Sequence, residues 1–240
     1  MQKSSLGLLL LEGNSKDPHI AEWLLKERFD YSLTDLVRLQ RQKMTQPDKD
    51  RYVTDIKEAA SGRPPQHIVG HEWFYDRKFN VSEDTLIPRP ETEEWFHGYI
   101  EKLPERPLRV LDIGTGSGVL AISHKLERPQ DKVVAVDISE AALAVAQKNA
   151  SKLGADVIFQ KSDIMKNAEG TFDLIVSNPP YISQREREVM DESVISYEPH
   201  IALFAEDEGL YFYRKIAEQA LQKLNPGGQL ILEFGYRTRC

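Results

Sequence analysis

Between residues 14 and 62 the apolar positions recur at helical spacing. Ile20, Trp23 and Leu24 make one stripe, Leu36, Val37 and Leu39 a second, and Tyr52, Ile56 and Ala59 a third. The polar punctuation agrees with three helices. Asp17-Pro18 reads as an N-cap followed by a proline in the first turn, Ser32 with Asp35 as a capping box, and Pro47-Asp48 as the opening of the third helix, which Gly62 and Pro64 close. Residues 1–62 are therefore expected to form a small helical domain.

The period then changes. Trp73-Phe74-Tyr75 and Lys78-Phe79-Asn80-Val81 flank Asp76-Arg77 and predict a β-hairpin turning at those two residues. Leu86-Ile87-Pro88-Arg89-Pro90 must be extended, because each proline drives its predecessor out of the helical region. Residues 63–91 are expected to be a hairpin and extended linker, with a helix from Glu91 or Thr92 to near Pro104. From Arg109 onward, strand patterns alternate with helical ones. Strands are predicted at 109–112, 133–137, 157–160, 172–177 and 229–234, with helices at 119–128, 140–151 and 209–223 among them. That alternation predicts an α/β domain with a parallel, doubly wound sheet over residues 92–240.

Composition and charge narrow the class. The chain carries 31 Lys+Arg against 38 Asp+Glu, a net charge of −7, so its overall field repels nucleic acid. Residues 1–71 alone hold 11 basic against 10 acidic side chains, which leaves the N-terminal part near neutral. The single cysteine, Cys240, excludes an intrachain disulfide and a cysteine-based zinc site. His67 and His71 have the spacing of one helical face, but Gly70 and the aromatic run after it argue against a helix there, and no metal is expected. No stretch reaches the apolar length of a membrane span, and the Leu8–Leu11 run lacks a cleavage-site pattern. A cytoplasmic protein with no membrane partner is expected.

Candidate chemistry lies at the ends of two predicted strands. Val110-Leu111-Asp112-Ile113 runs into Gly114-Thr115-Gly116-Ser117-Gly118, a glycine turn that opens a helix. Glycines there let the backbone take positive φ and approach a ligand closely. The next strand ends in Asp137, where a carboxylate can accept both hydroxyls of a ribose. Nicotinamide and flavin enzymes use G-x-G-x-x-G, whereas this turn is G-x-G-x-G. S-adenosylmethionine fits better, with Asp112 available to its cationic methionyl part. Asp163 and Ile164, after the third strand, are candidates for hydrogen-bonding and covering the adenine, although an Asp there also serves as a helix cap.

The fourth strand ends in Asn178-Pro179-Pro180-Tyr181, on the side of the sheet where ligands bind. An amide nitrogen is a poor nucleophile because its lone pair is delocalised into the carbonyl. Two acceptors on its two hydrogens fix its orientation and favour a more pyramidal nitrogen. The Asn178 side-chain oxygen and the Pro179 carbonyl suit that role, rigid prolines hold the loop, and Tyr181 can pack on the planar group. Asn178 also borders the cofactor side, and no Ser-His-Asp or Cys-His arrangement is evident.

These motifs resemble those of the HemK/PrmC-type protein-(glutamine-N5) methyltransferases, which modify the Gly-Gly-Gln glutamine of peptide chain release factors. Asn-Pro-Pro-Tyr is shared with adenine-N6 and guanine-N2 nucleic-acid methyltransferases. More specific are Gly62-Arg63-Pro64 through Ile68-Val69-Gly70 and Leu86-Ile87-Pro88-Arg89-Pro90-Glu91-Thr92-Glu93. Glu198-Pro199, Ala202-Leu203, Gly209-Leu210 and Tyr213-Arg214 are also similar. The resemblance implies a Rossmann-like class I methyltransferase sheet, a release-factor-docking N-terminal domain, and S-adenosylmethionine held by Gly114–Gly118 and Asp137. It implies a substrate glutamine held by Asn178–Tyr181, with Arg89 and Glu91 shaping the cleft, or else merely pairing with each other and capping a helix. The family pattern continues past Leu230-Ile231-Leu232-Glu233-Phe234-Gly235 with a helix and two strands, whereas this chain stops at Cys240. A truncated sheet is therefore expected, with an exposed edge at 229–234 and reduced stability. The alternatives are a nucleic-acid amino-methyltransferase, disfavoured by the charge, and an inactive module that still docks a release factor.

Overall fold

The structure, a computed structural model, describes residues 18–39 and 44–235. Contacts divide the chain into two compact units. One runs through Gly70 and includes Glu192–Tyr197, and the other comprises His71–Asp191 and the chain from Glu198 onward. The division falls inside the stretch expected as a linker.

The first unit is helical: α1 (Pro18–Phe29), α2 (Leu33–Leu39), α3 (Gln46–Ala60) and the short α4 (Pro65–Val69). The Ser32–Asp35 box forms, with the Ser32 N–H donating to Asp35 Oδ2 at 3.0 Å and the Asp35 N–H to Ser32 Oγ at 3.2 Å. Thr45 caps α3 by accepting from the Asp48 N–H, with Pro47 in the first turn. Asp17, expected as a cap, lies outside the described residues. Leu24, Leu25, Tyr52 and Ile56 meet in a core of the unit's own. Within it Arg28 grips Asp55 through Nε (2.7 Å) and Nη2 (3.0 Å) and donates to the Ile68 carbonyl (2.6 Å). Because this pair is buried, removing one partner costs about 3–5 kcal/mol. No helix spans both His67 and His71, as expected, although a single turn at Pro65–Val69 does hold His67. Gly70 stops it in the left-handed conformation (φ 83°), and His71 begins the following strand.

The second unit opens with a hairpin of β1 (His71–Phe74) and β2 (Arg77–Asn80). Its turn residues are Tyr75 and Asp76, at φ 49° and 58°, one position earlier than expected. A type I′ hairpin turn needs positive φ at both central positions, and Asp76 tolerates this while Arg77 stays in the ladder. Helix α5 (Pro90–Ile100) follows, continued by i→i+3 turns that reach Leu103.

The central sheet is built from β3 (Arg109–Ile113), β4 (Lys132–Asp137), β5 (Val157–Lys161), β6 (Phe172–Ser177) and β9 (Leu224–Leu232). Helices α6 (Val119–Glu127), α7 (Glu140–Leu153) and α10 (Tyr211–Lys223) connect and flank it. Between β6 and α10 come β7 (Ile182–Ser183), α8 (Glu192–Tyr197), α9 (His200–Leu203) and β8 (Phe204–Ala205), with β7 and β8 pairing in parallel. All pairs in the main sheet are parallel, in the order β5-β4-β3-β6-β9. Buried apolar clusters lie on both faces, as a doubly wound sheet requires. The chain moves outward from β3 to β5 and then returns to β6, so the direction of winding switches between β3 and β6. Ligands of such sheets bind beyond the carboxyl ends at that switch.

Strand β9 begins at Leu224, five residues before the expected start at Gln229, and ends at Leu232. Leu224 pairs with Phe172 and pairing resumes at Gln229 with Leu174, so Asn225-Pro226-Gly227-Gly228 is an irregularity within the strand pair. Among the described residues β9 has β6 on one side and no strand on the other. No helix of the described residues is long and apolar enough to cross a membrane.

Candidate active site

Strand β3 delivers the glycine turn. Gly114, Gly116 and Gly118 all take positive φ, at 67°, 55° and 86°. A Cβ on Gly118 would lie 2.7 Å from Ile122 Cδ1 and 3.1 Å from Ala146 Cβ, so this glycine lets α6 start close against α7. A Cβ on Gly114 or Gly116 would meet nothing within 4 Å, so the turn faces open space. The Gly114 and Thr115 N–H groups both donate to the Val136 carbonyl (2.8 and 3.0 Å), which fastens the turn to β4. Ser117 is buried, and its carbonyl accepts from Asn149 Nδ2 (2.8 Å). Asn149 also exchanges hydrogen bonds with the backbone of Asn80, which braces the turn against the hairpin.

Two carboxylates flank the turn. Asp137 Oδ2 accepts from the Gly116 N–H and Oδ1 from the Ser139 N–H, both at 2.9 Å. These bonds fix its rotamer and leave the remaining lone pairs toward the cavity. Asp112 is fully buried. Its Oδ2 accepts from the Thr115 hydroxyl at 2.6 Å, while Oδ1 has no hydrogen-bond partner. Burial pushes its carboxyl up to about 7, against the lowering effect of the Thr115 and backbone hydrogen bonds.

Strand β6 delivers the second half of the site. Ser177 stands beside Ile113 in register and donates its hydroxyl to the Ile113 carbonyl (2.7 Å), which locks the two strand ends together. Asn178 follows, and its Nδ2 donates to Thr92 Oγ1 at 3.2 Å. A Cβ on Gly209 would lie 2.2 Å from the Tyr181 carbonyl oxygen, so only glycine permits that approach.

A cavity of about 300 Å³ joins these parts. Gly114, Gly116 and Asp137 line it from one side, Asp163 and Ile164 from another, and Asn178, Pro179 and Pro180 from a third. Thr115, Ser117, Gly118 and Tyr181 support the lining without belonging to it. Among the lining side chains that sequence reasoning missed, Ile138, Ile201 and Tyr211 are 48%, 56% and 39% exposed, an unusual cost for large apolar groups unless a ligand covers them. Ile138 carried a usable signal, an apolar residue directly after the strand-ending carboxylate.

Arg89 and Glu91 lie outside this lining. The partner of Arg89 is Glu198, not Glu91. Glu198 is buried, and its Oε1 accepts from Arg89 Nη2 at 2.5 Å while Oε2 accepts from the Ile87 N–H at 3.0 Å. This clamp ties the extended segment ahead of α5 to the segment after α8. Both segments contribute cavity walls, through Asp84–Leu86 and through Pro199 and Ala202. Glu91 is exposed at the start of α5. Among the described residues no group of three or more His, Cys, Asp or Glu side chains is placed to hold a metal.

Comparison with known proteins agrees with this geometry. Residues 7–70 match the family model described as "PrmC N-terminal domain" and residues 98–198 that described as "Methyltransferase small domain". A release factor glutamine methyltransferase of Enterococcus faecalis is 39% identical over 228 residues, covering 95% of this chain and 82% of the relative. That of Lactococcus lactis is 41% identical over 227 residues, covering 95% and 84%. In fold alone, a methyltransferase crystal structure from Pyrococcus furiosus superposes with TM-score 0.52 at 22% identity, covering 80% of this chain and 81% of that one. The likeness to the curated relatives runs through the helical unit, the glycine turn and the Asn178 loop alike, and the chain belongs to the release factor glutamine methyltransferase family.

Proposed function

We propose that the protein uses S-adenosylmethionine to methylate the side-chain amide nitrogen of the glutamine in the Gly-Gly-Gln motif of a peptide chain release factor. One observation carries the reading: the glycine turn with Asp137 and the Asn178-Pro179-Pro180 loop line the same cavity.

The residues present fit the cofactor. Asp137, held by the Gly116 and Ser139 N–H groups, accepts ribose hydroxyls with its free lone pairs. Ile138 and Ile164 offer apolar cover to a planar base, and Asp163 a hydrogen-bond acceptor at its edge. The buried, unpartnered Oδ1 of Asp112 sits at the root of the turn, where a nearby cation would complement it. When bound, S-adenosylmethionine supplies a methyl group on a sulfonium, an excellent leaving group, so the chain needs no nucleophile of its own.

The protein's task is positioning and electrostatics. With Nδ2 of Asn178 engaged by Thr92, its Oδ1 is available to accept one amide hydrogen of the substrate. The Pro179 carbonyl accepts the other, and the two prolines hold both acceptors at a fixed separation. The Arg89–Glu198 clamp supports the walls through which the substrate glutamine enters.

Tritiated methyl transfer to a release factor, compared with tRNA, rRNA and DNA, tests the assignment. Label should appear on the release factor and vanish when the Gly-Gly-Gln glutamine is changed to alanine. Efficient labelling of nucleic acid with none on the release factor would overturn it.

A further inference from the structure

A buried carboxylate stands behind Asn178 that the mechanism above does not use. Glu233 directly follows β9, and its N–H donates to the Ser177 carbonyl at 3.0 Å, which holds it beside the residue preceding Asn178. The Tyr213 hydroxyl donates to the Glu233 carbonyl at 2.8 Å and fixes the backbone there. The side chain is buried, at 8% relative exposure for the residue, and Oε2 has no hydrogen-bond partner. Burial raises the carboxyl's pKa and the charge of Glu91 adds to this, while hydrogen bonding from the Thr92 and Asn178 side chains opposes it.

Thr92 stands beside both. It is itself buried and accepts from Asn178 Nδ2 at 3.2 Å, which leaves its own hydroxyl proton to donate. A carboxylate is an acceptor and takes that proton. The donors then point one way: the Asn178 amide N–H groups toward Thr92 Oγ1 and Glu233, and the Thr92 O–H toward Glu233. Turning the Asn178 amide over would present Oδ1 to Thr92. The Thr92 proton would be drawn to it, and a buried carboxylate would be left unserved.

We propose that Glu233 is a positioning residue for methyl transfer: together with Thr92, it fixes the Asn178 carboxamide with Nδ2 turned toward the protein and Oδ1 left for the substrate amide. The inference rests on the reading of Asn178 as the substrate's acceptor.

The test uses the full chain carrying Asn178→Ala, Thr92→Val, Glu233→Leu or Glu233→Gln, with kcat and KM measured on a release factor and S-adenosylmethionine affinity measured by calorimetry. Asn178→Ala should lower kcat by at least about a hundredfold. Thr92→Val and Glu233→Leu should each lower kcat by at least about tenfold, with KM and cofactor affinity within about twofold, because only the orientation of Asn178 is lost. Glu233→Gln should restore most of kcat, since its carboxamide oxygen still accepts from Thr92. The double variant should be no slower than the slower single one, because both changes break the same support. Wild-type kcat in Thr92→Val and Glu233→Leu, with Asn178→Ala inactive, overturns the role of Glu233 and leaves that of Asn178 standing. Near-wild-type kcat in Asn178→Ala overturns the underlying reading instead. If Glu233→Leu does not fold, Thr92→Val decides: unchanged kcat, or a loss confined to KM or cofactor affinity, refutes the joint support of Asn178 by Thr92 and Glu233.

Discussion

Asp112 and Asp137 occupy the carboxyl-terminal parts of neighbouring strands, yet their environments differ sharply. Asp137 is half-buried, with two backbone N–H donors, and Asp112 is sealed in the core with one oxygen unserved. An acid whose pKa rises on folding, here from 3.8 to about 7, binds a proton in the fold that it has lost in the unfolded chain. Its contribution to stability is therefore present below about pH 4 and declines as pH climbs to about 7. Asp112→Asn should flatten that slope: between pH 5 and 8 the wild type should lose more of its urea midpoint than the variant. Parallel slopes would mean that Asp112 is ionised in the fold. Asp137→Ala removes charge-assisted hydrogen bonds and should weaken S-adenosylmethionine binding by about 2–4 kcal/mol, with calorimetry as the check. Asp137, the glycine turn and Asn178 were legible in the sequence because each belongs to a contiguous motif at a strand end. The contacts of Glu198, Thr92 and Glu233 were not, because their partners are distant along the chain and only the fold brings them together.

At the scale of elements, the loop after β6 is shaped by what leans on it. Gly209, at φ 91°, lies against the Tyr181 carbonyl so closely that a methyl group would occupy the oxygen's position. Gly209→Ala should displace the Asn178–Tyr181 loop and cost on the order of 1–3 kcal/mol of stability through backbone strain. Turnover should fall at least about tenfold while cofactor affinity changes little. Thermal melts, calorimetry and kinetics on one preparation separate these effects, and unimpaired turnover would show that the loop tolerates the shift. The alternation of strand and helix made the central sheet readable in advance, and Phe172–Ser177 matched its expected bounds. Two element bounds differ from those expected. Strand β9 pairs from Leu224 rather than from Gln229, and Asn225-Pro226-Gly227-Gly228 interrupts that pairing from within. At the hairpin, Tyr75 accepts a positive φ that propensity disfavours, because the ladder sets the register. The pairing of β7 with β8 rests on two-residue strands, too short to leave a periodicity.

At the scale of the whole molecule, the helical unit has an apolar core separate from the two that flank the sheet. If that unit docks the release factor, removing residues 1–61 should weaken release-factor binding by at least about tenfold while leaving cofactor affinity within a few-fold; equal losses in both would count against a docking role. The α/β class followed from alternation alone, whereas the boundary at Gly70 did not, because α4 is a single turn with a weak apolar pattern. The order β5-β4-β3-β6-β9 also bears on how the protein comes into being. Every main-sheet pairing is parallel and joins strands separated by a crossover, so loop closure must precede each reward, which makes such sheets slow to assemble. Strand β9 is synthesised after the four main-sheet strands that precede it, and it carries Glu233 to its place beside Ser177. A nascent chain that has extruded the glycine turn and the Asn178 loop still lacks the support behind them. The cofactor half of the site, built on β3 and β4, can therefore form ahead of the substrate half, which is completed only once the chain has been made as far as Glu233.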